Sequence, residues 1–176
     1  MAGFFKEMWR VMFPRKEKVI ENPGVIGHYD CKPYHNFKYA LIYANETEIL
    51  STDKVEIYSR VYKNTTFVNV LVNDEDGFDI TKYTFDDLKP QLREKGIEET
   101  KNTIVLVLFQ HNNEATIAQC KKFCKSDKFN FQQACVYNPV KVQMDFYKPV
   151  PKFYKLFDIF CEDLYFDLAF IDDSRK

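Results

Sequence analysis

Three groups of side chains in this sequence have the types and spacing to do chemistry. Cys120 and Cys124 stand one helical turn apart, with His111 upstream and Cys135 downstream, and four such donors are what a tetrahedral zinc site takes. The same spacing on an apolar helix face describes plain core cysteines, because a free thiol packs as a small buried hydrophobe, and that description is favoured here. His28 and His35 flank Cys31 and form a weaker rival set. The acids Asp53, Glu56, Asp74 and Asp76 make the third group: they would hold Mg²⁺ if the fold made their oxygens converge. Other chemistry is excluded by motif. Neither G-x-x-x-x-G-K-[ST] nor G-x-G-x-x-G occurs, so phosphates have no glycine-rich cradle, and no G-x-S-x-G elbow offers a serine nucleophile. The expectation is therefore no catalytic residue, no metal and no cofactor.

The elements that would position these groups follow from hydrophobic periodicity. Residues 19–37 hold two Gly and two Pro with no sustained period and read as a connection. Lys38 to Ala44 is a short apolar run that reads as a strand, and Val55 to Tyr62 and Thr66 to Val72 alternate as a paired hairpin. A polar turn, Asn73 to Gly77, follows. Thr84 to Lys95 predicts a helix, with Asp86 or Asp87 as its cap, Pro90 in its first turn and Gly96 at its close. Thr103 to Phe109 is apolar without interruption, as expected of a central strand covered on both faces. Asn112 or Asn113 caps a helix to about Lys125, with Ile117, Cys120, Phe123 and Cys124 inward. Gln133 to Tyr137 and Val140 to Tyr147 read as strands, and Lys152 to Ile171 as a closing helix. The predicted fold class is α/β (α+β): a mixed β-sheet with helices packed on it, in the order α-β-β-β-α-β-α-β-β-α.

That order resembles the core of restriction-endonuclease-like domains. There a carboxylate on the second strand and an E-x-K or D-x-K on the third hold Mg²⁺ and orient water. Here Asp53 and Glu56 stand near the second strand, while Thr66 to Val72 contains neither carboxylate nor Lys. Asp87-Leu88-Lys89 and Glu99-Thr100-Lys101 match the tripeptide by letter but flank a helix. The segments NTIVLVLFQHNNEATIAQCKKFC and QQACVYNPVKVQMDFYKPVPKFYKLFDIF further resemble the cytosolic domains that precede the membrane core of some Firmicutes rhomboid proteases. This resemblance spans residues 38–170 as a pattern and rests on no diagnostic motif. It implies a degenerate endonuclease-like fold used for regulation or docking, because the Gly-x-Ser context of rhomboid catalysis is absent.

Composition places the chain among ordinary folded proteins. Its 176 residues suit one domain, the aromatic share of 16% indicates a bulky core, and a net charge of −1 gives no overall attraction to nucleic acid. An odd number of cysteines, 5, points to a reducing compartment. No run reaches the roughly 18 apolar residues of a membrane span, and the opening run is interrupted by Lys6, Glu7 and Arg10, unlike a cleaved signal. On a helix over residues 4–13, Phe4, Phe5, Met8, Trp9 and Met12 lie within an apolar arc of about 200°, and Arg15, Lys16 and Lys18 form a basic collar behind it. Such a segment either packs as a core helix or docks on a partner or an anionic bilayer. The organisation expected is an amphipathic helix at 1–18, a connection at 19–37, one α/β domain at 38–171 and a polar tail at 172–176. The function expected is a non-catalytic interaction or regulatory module, cytoplasmic, acting on a protein partner or at the inner face of the membrane, with no nucleic acid. The alternative is a metal-dependent nuclease-like enzyme whose acids have moved to Asp53, Glu56, Asp74 and Asp76.

Overall fold

The computed structural model describes residues 24–126, 129–148 and 159–160. Along the chain run β1 (Gly27–Asp30), α1 (Phe37–Tyr43), β2 (Thr47–Ser51), β3 (Val55–Tyr62), β4 (Thr65–Val72), α2 (Phe85–Glu94), β5 (Asn102–Phe109), α3 (Glu114–Phe123), β6 (Lys125–Ser126), β7 (Asn130–Asn138) and β8 (Gln143–Phe146). The strands form one mixed sheet in the order β1-β8-β7-β5-β4-β3-β2, with β6 lying against β7. β2, β3 and β4 are an antiparallel meander, whereas β4, β5 and β7 are parallel neighbours. Parallel neighbours need crossovers, and α2 and α3 supply them. Both crossover helices pack on one face, where Leu88, Leu92, Cys120 and Phe123 join the valines of β3, β4 and β5 in a core. α1 covers the other face through Phe37, Ala40 and Leu41, which meet Tyr58, Leu71, Leu106 and Leu108.

The uninterrupted run TIVLVLF is the central strand that its composition demands. Val105, Val107 and Phe109 are fully enclosed on the α2–α3 face, and Leu106 and Leu108 are buried on the α1 face. The caps obey local chemistry. Asn113 and Thr116 form a reciprocal capping box that starts α3. Thr84 caps α2 by accepting the Asp87 N–H, two or three residues before the Asp86 or Asp87 cap expected from sequence. Pro90 consequently lies inside the helix and not in its first turn. At the far end Gly96, with φ +76°, lets Ile97 N–H return to the Leu92 carbonyl.

Three expectations need correction. Lys38 to Ala44 is not a strand but the helix α1, because Phe37, Ala40 and Leu41 recur at helical spacing and bury together. Its place in the meander is taken by β2. Residues 19–37 are not wholly a connection, since Gly27–Asp30 pairs antiparallel with β8 along the sheet margin and Tyr34–Asn36 forms a single 3-10 turn. Finally, Val140 to Tyr147 contributes a shorter strand, beginning at Gln143 after Val142 takes up φ +52°. No helix among the described residues is long and apolar enough to cross a membrane. The expected helices at 4–13 and 152–171 lie outside the described residues, apart from Ile159 and Phe160.

Candidate functional site

On its α1 side, β3 breaks the apolar character of the sheet by presenting Glu56, Tyr58 and Arg60. Glu56 is held by Lys38 Nζ of α1 at 3.0 Å and accepts hydrogen bonds from the Tyr58 hydroxyl at 3.0 Å and from Asn73 Nδ2 at 3.2 Å. Tyr58 also lies 3.3 Å from the Glu48 carboxylate. Burial, with Glu56 and Glu48 adding to it, pushes the Tyr58 phenol well above its ordinary range. One row further along, the Glu46 carboxylate accepts from Asn69 Nδ2 at 3.1 and 2.9 Å and lies 3.5 Å from Arg60 Nε, an ion pair without hydrogen-bond geometry. Burial pushes Glu46 up to about 7 against the pull of Asn69 and Arg60. The adjoining cavity, walled by Phe67, Asn69, Ile104, Leu106 and Ile159, is about 10 Å³, room for one water at most. A perturbed carboxylate often marks catalysis, yet here each acid is occupied by neighbours, and among the described residues the space beside Glu46 is this small cavity.

The nuclease-like acids do not converge. Asp74 lies 3.8 Å from Lys54 Nζ, the same amine donates to the Asp76 carbonyl, and Asp53 is exposed on the turn before β3. β4 is the third strand of the meander, and its α1-facing positions are Phe67, Asn69 and Leu71. Asp87-Leu88-Lys89 lies within α2 and Glu99-Thr100-Lys101 in the loop that follows it. Among the described residues no three His, Cys, Asp or Glu side chains are placed to hold a metal ion.

The cysteine and histidine sets separate in the same way. Cys120 is buried under α3, and Cys135 is buried in the core of the opposite face. Burial raises both thiols, which keeps them protonated at neutral pH and poor as ligands or nucleophiles. Cys124 Sγ accepts from the Ala134 N–H at 3.4 Å on the outer edge of β7, in the gap between its pairings with β6 and β8. His111 is exposed and its Nδ1 lies 2.8 Å from Glu75, whose other oxygen accepts the backbone N–H groups of Gln110 and His111. His28 stands in register with Asp145 across β1 and β8, away from the exposed His35.

An open concave surface lies on the α2–α3 face, a groove of about 1110 Å³ over the amino ends of β5 and β7. Its floor is polar: Thr103 donates to the Asn130 carboxamide, and Gln132 lines the same floor. Lys89 of α2 forms one wall, paired with Asp86 at 3.0 Å and Glu99 at 2.9 Å, and Arg93 reaches Glu99 at 3.2 Å. These cations hold Glu99 below the usual carboxylate range. Lys101, Lys125 and Phe129 form the other wall, with the Lys101 ammonium 5.3 Å from the Phe129 ring centroid. Sequence reasoning missed this site because its residues come from four separate stretches. The one local signal was the polar start of two otherwise apolar strands, at Thr103 and at Asn130 and Gln132.

Phe4, Phe5, Met8, Trp9, Met12, Arg15, Lys16 and Lys18, the docking residues expected from sequence, lie outside the described residues. Comparison of the chain with protein-family models, curated proteins and solved structures gives no match.

Proposed function

We propose that this chain is a non-catalytic interaction or regulatory module. One observation carries this: where an endonuclease-like meander needs an acid and a lysine on its third strand, the α1-facing positions are Phe67, Asn69 and Leu71, and the acids nearby are engaged with Lys38, Tyr58, Asn69 and Arg60. The groove over β5 and β7 supplies a surface for a partner. The likeness to cytosolic domains that precede rhomboid membrane cores supports a regulatory role of the same kind, in the cytoplasm.

Incubation of the purified chain with Mg²⁺ and single- or double-stranded DNA or RNA tests the proposal. The expected result is no cleavage above a buffer control. Chelator-sensitive cleavage that disappears in Glu56→Ala or Asp53→Ala would replace it with the nuclease alternative.

Action at a membrane surface is a second, separable part of the proposal and rests on the apolar arc and basic collar of residues 4–18. Trp9 is the only tryptophan, so its fluorescence reports that segment alone. Anionic vesicles are expected to shift the emission to the blue, with added salt weakening the shift because Arg15, Lys16 and Lys18 act electrostatically. An unchanged spectrum removes the membrane and leaves a protein partner.

A further inference from the structure

We infer that the groove over the amino ends of β5 and β7 binds an extended acidic polypeptide segment, an assignment that rests on the interaction-module proposal and specifies its partner. Size and shape come first. At about 1110 Å³ the groove exceeds the usual range of pockets for small ligands, and its rim residues Asp86, Glu99, Lys101, Lys125 and Phe129 are exposed, so it suits a chain lying across the surface.

Charge decides the sign of the occupant. Asp86 and Glu99 are already matched by Lys89 and Arg93. Lys101 and Lys125, on the opposite wall, are exposed and form no ion pair with a carboxylate among the described residues. The wall thus offers two ammonium groups, Lys101 over one face of the partly exposed Phe129 ring and Lys125 on the same wall, a match for carboxylates next to an apolar side chain. The floor adds hydrogen-bonding capacity, since the Gln132 carboxamide has no hydrogen bond to a described residue and the Thr103–Asn130 pair lies alongside.

Single-stranded nucleic acid fits less well. It requires open aromatic faces on which bases stack. Phe85 is buried, so Phe129 is the one exposed ring among the residues that line the groove, too few for successive bases to stack.

Titration of the ¹⁵N-labelled chain, followed by its backbone amide resonances, tests the assignment with three probes: a short Glu-rich peptide with central leucines, the same peptide with Lys for Glu, and a short oligothymidylate. The Glu-rich peptide is expected to give saturable shifts at Lys101, Thr103, Lys125, Phe129 and Gln132, which shrink as salt is added. Lys101→Glu combined with Lys125→Glu is expected to weaken binding about tenfold or more while the rest of the spectrum stays in place, as for exposed residues. Phe129→Ala, with both charges kept, is expected to weaken it less.

Absence of shifts, shifts centred away from the groove, or equal binding of the Lys peptide overturns the assignment. Stronger binding of oligothymidylate does so as well and names nucleic acid as the occupant. None of these results bears on catalysis, which the cleavage assay reads independently, so the two failures are distinguishable.

Discussion

The two faces of the sheet are made by the same strands and are held together in different ways. Toward α2 and α3, β3, β4 and β5 present Val55, Ile57, Val68, Val70, Val105 and Val107, all buried without a polar side-chain atom, and polarity is confined to the end near the groove, where the hydroxyls of Ser59, Thr66 and Thr103 are hydrogen-bonded. Toward α1 the same strands present Glu56, Tyr58, Arg60 and Asn69 among leucines. The first face depends on volume, which many apolar residues can fill. The second depends on particular pairs, because a buried polar group left without its partner costs its full desolvation. Changes to the two faces should therefore fail differently.

The largest effect is expected where polarity enters the apolar face. Val105 is fully buried in the central strand with parallel neighbours on both sides. Val105→Asp places a carboxylate there with no cation opposite, and an uncompensated buried charge costs on the order of 3–5 kcal/mol. Urea denaturation would read this as a lowered midpoint or as failure to fold. Stability within 1 kcal/mol of the parent, as a rough threshold for a surface site, would show that the segment is not enclosed.

On the polar face the sharper probe is pH. Glu46 is raised to about 7 in the folded protein from an ordinary value of 4.5, with burial as the main cause. Between those values the folded state holds a proton that the unfolded state has released, so stability falls as pH rises from about 4.5 through about 7 and then levels off. The full amplitude for a shift of this size is on the order of 3 kcal/mol. Glu46→Gln keeps the shape and removes the titration, so the difference between variant and parent should change across that window and stay constant above it. A constant difference across the window from 4.5 to about 7 would mean that the carboxylate is solvated.

The two faces also differed in how far sequence alone revealed them. The apolar face was legible: VEIYSRVY, TFVNVLV and TIVLVLF carry their periods in plain view, and the capped helix before Phe123 follows from Asn113. Its groove was not, since tertiary contact alone brings Lys89, Lys101 and Lys125 around one floor. On the other side, KYALIYA reads as a strand and forms a helix, because a short apolar run has no period long enough to separate the two. Packing of Phe37, Ala40 and Leu41 decides it. β1 was hidden for a related reason, as GHYD owes its extended form to pairing with β8 and not to its own composition. The Glu46 site needs Arg60 and Asn69 from two other strands, and no local pattern links them.

The smallest expected effect concerns the margin that both faces share, the turn between β7 and β8. Val142 has φ +52°, a left-handed conformation in which a β-branched side chain crowds the backbone. It is held there by the turn that begins at Asn138, whose side chain accepts the N–H groups of Val140 and Lys141, and by the Cys31 N–H bonded to the Val142 carbonyl. The Val142 side chain is partly exposed, so little packing opposes its removal. Val142→Gly releases the crowding, worth about 1–2 kcal/mol, and adds backbone freedom to the unfolded chain, costing about 0.5–1 kcal/mol. The balance is a gain of up to about 1.5 kcal/mol, visible as a raised denaturation midpoint with an unchanged slope. Gly96→Ala is the matched opposite: φ is +76° and an added Cβ meets nothing within 4 Å, so any loss there is conformational alone. Should Val142→Gly destabilise as Gly96→Ala is expected to, the side chain of Val142 is packed rather than strained, and the β7–β8 turn belongs to the apolar core on its α1 side.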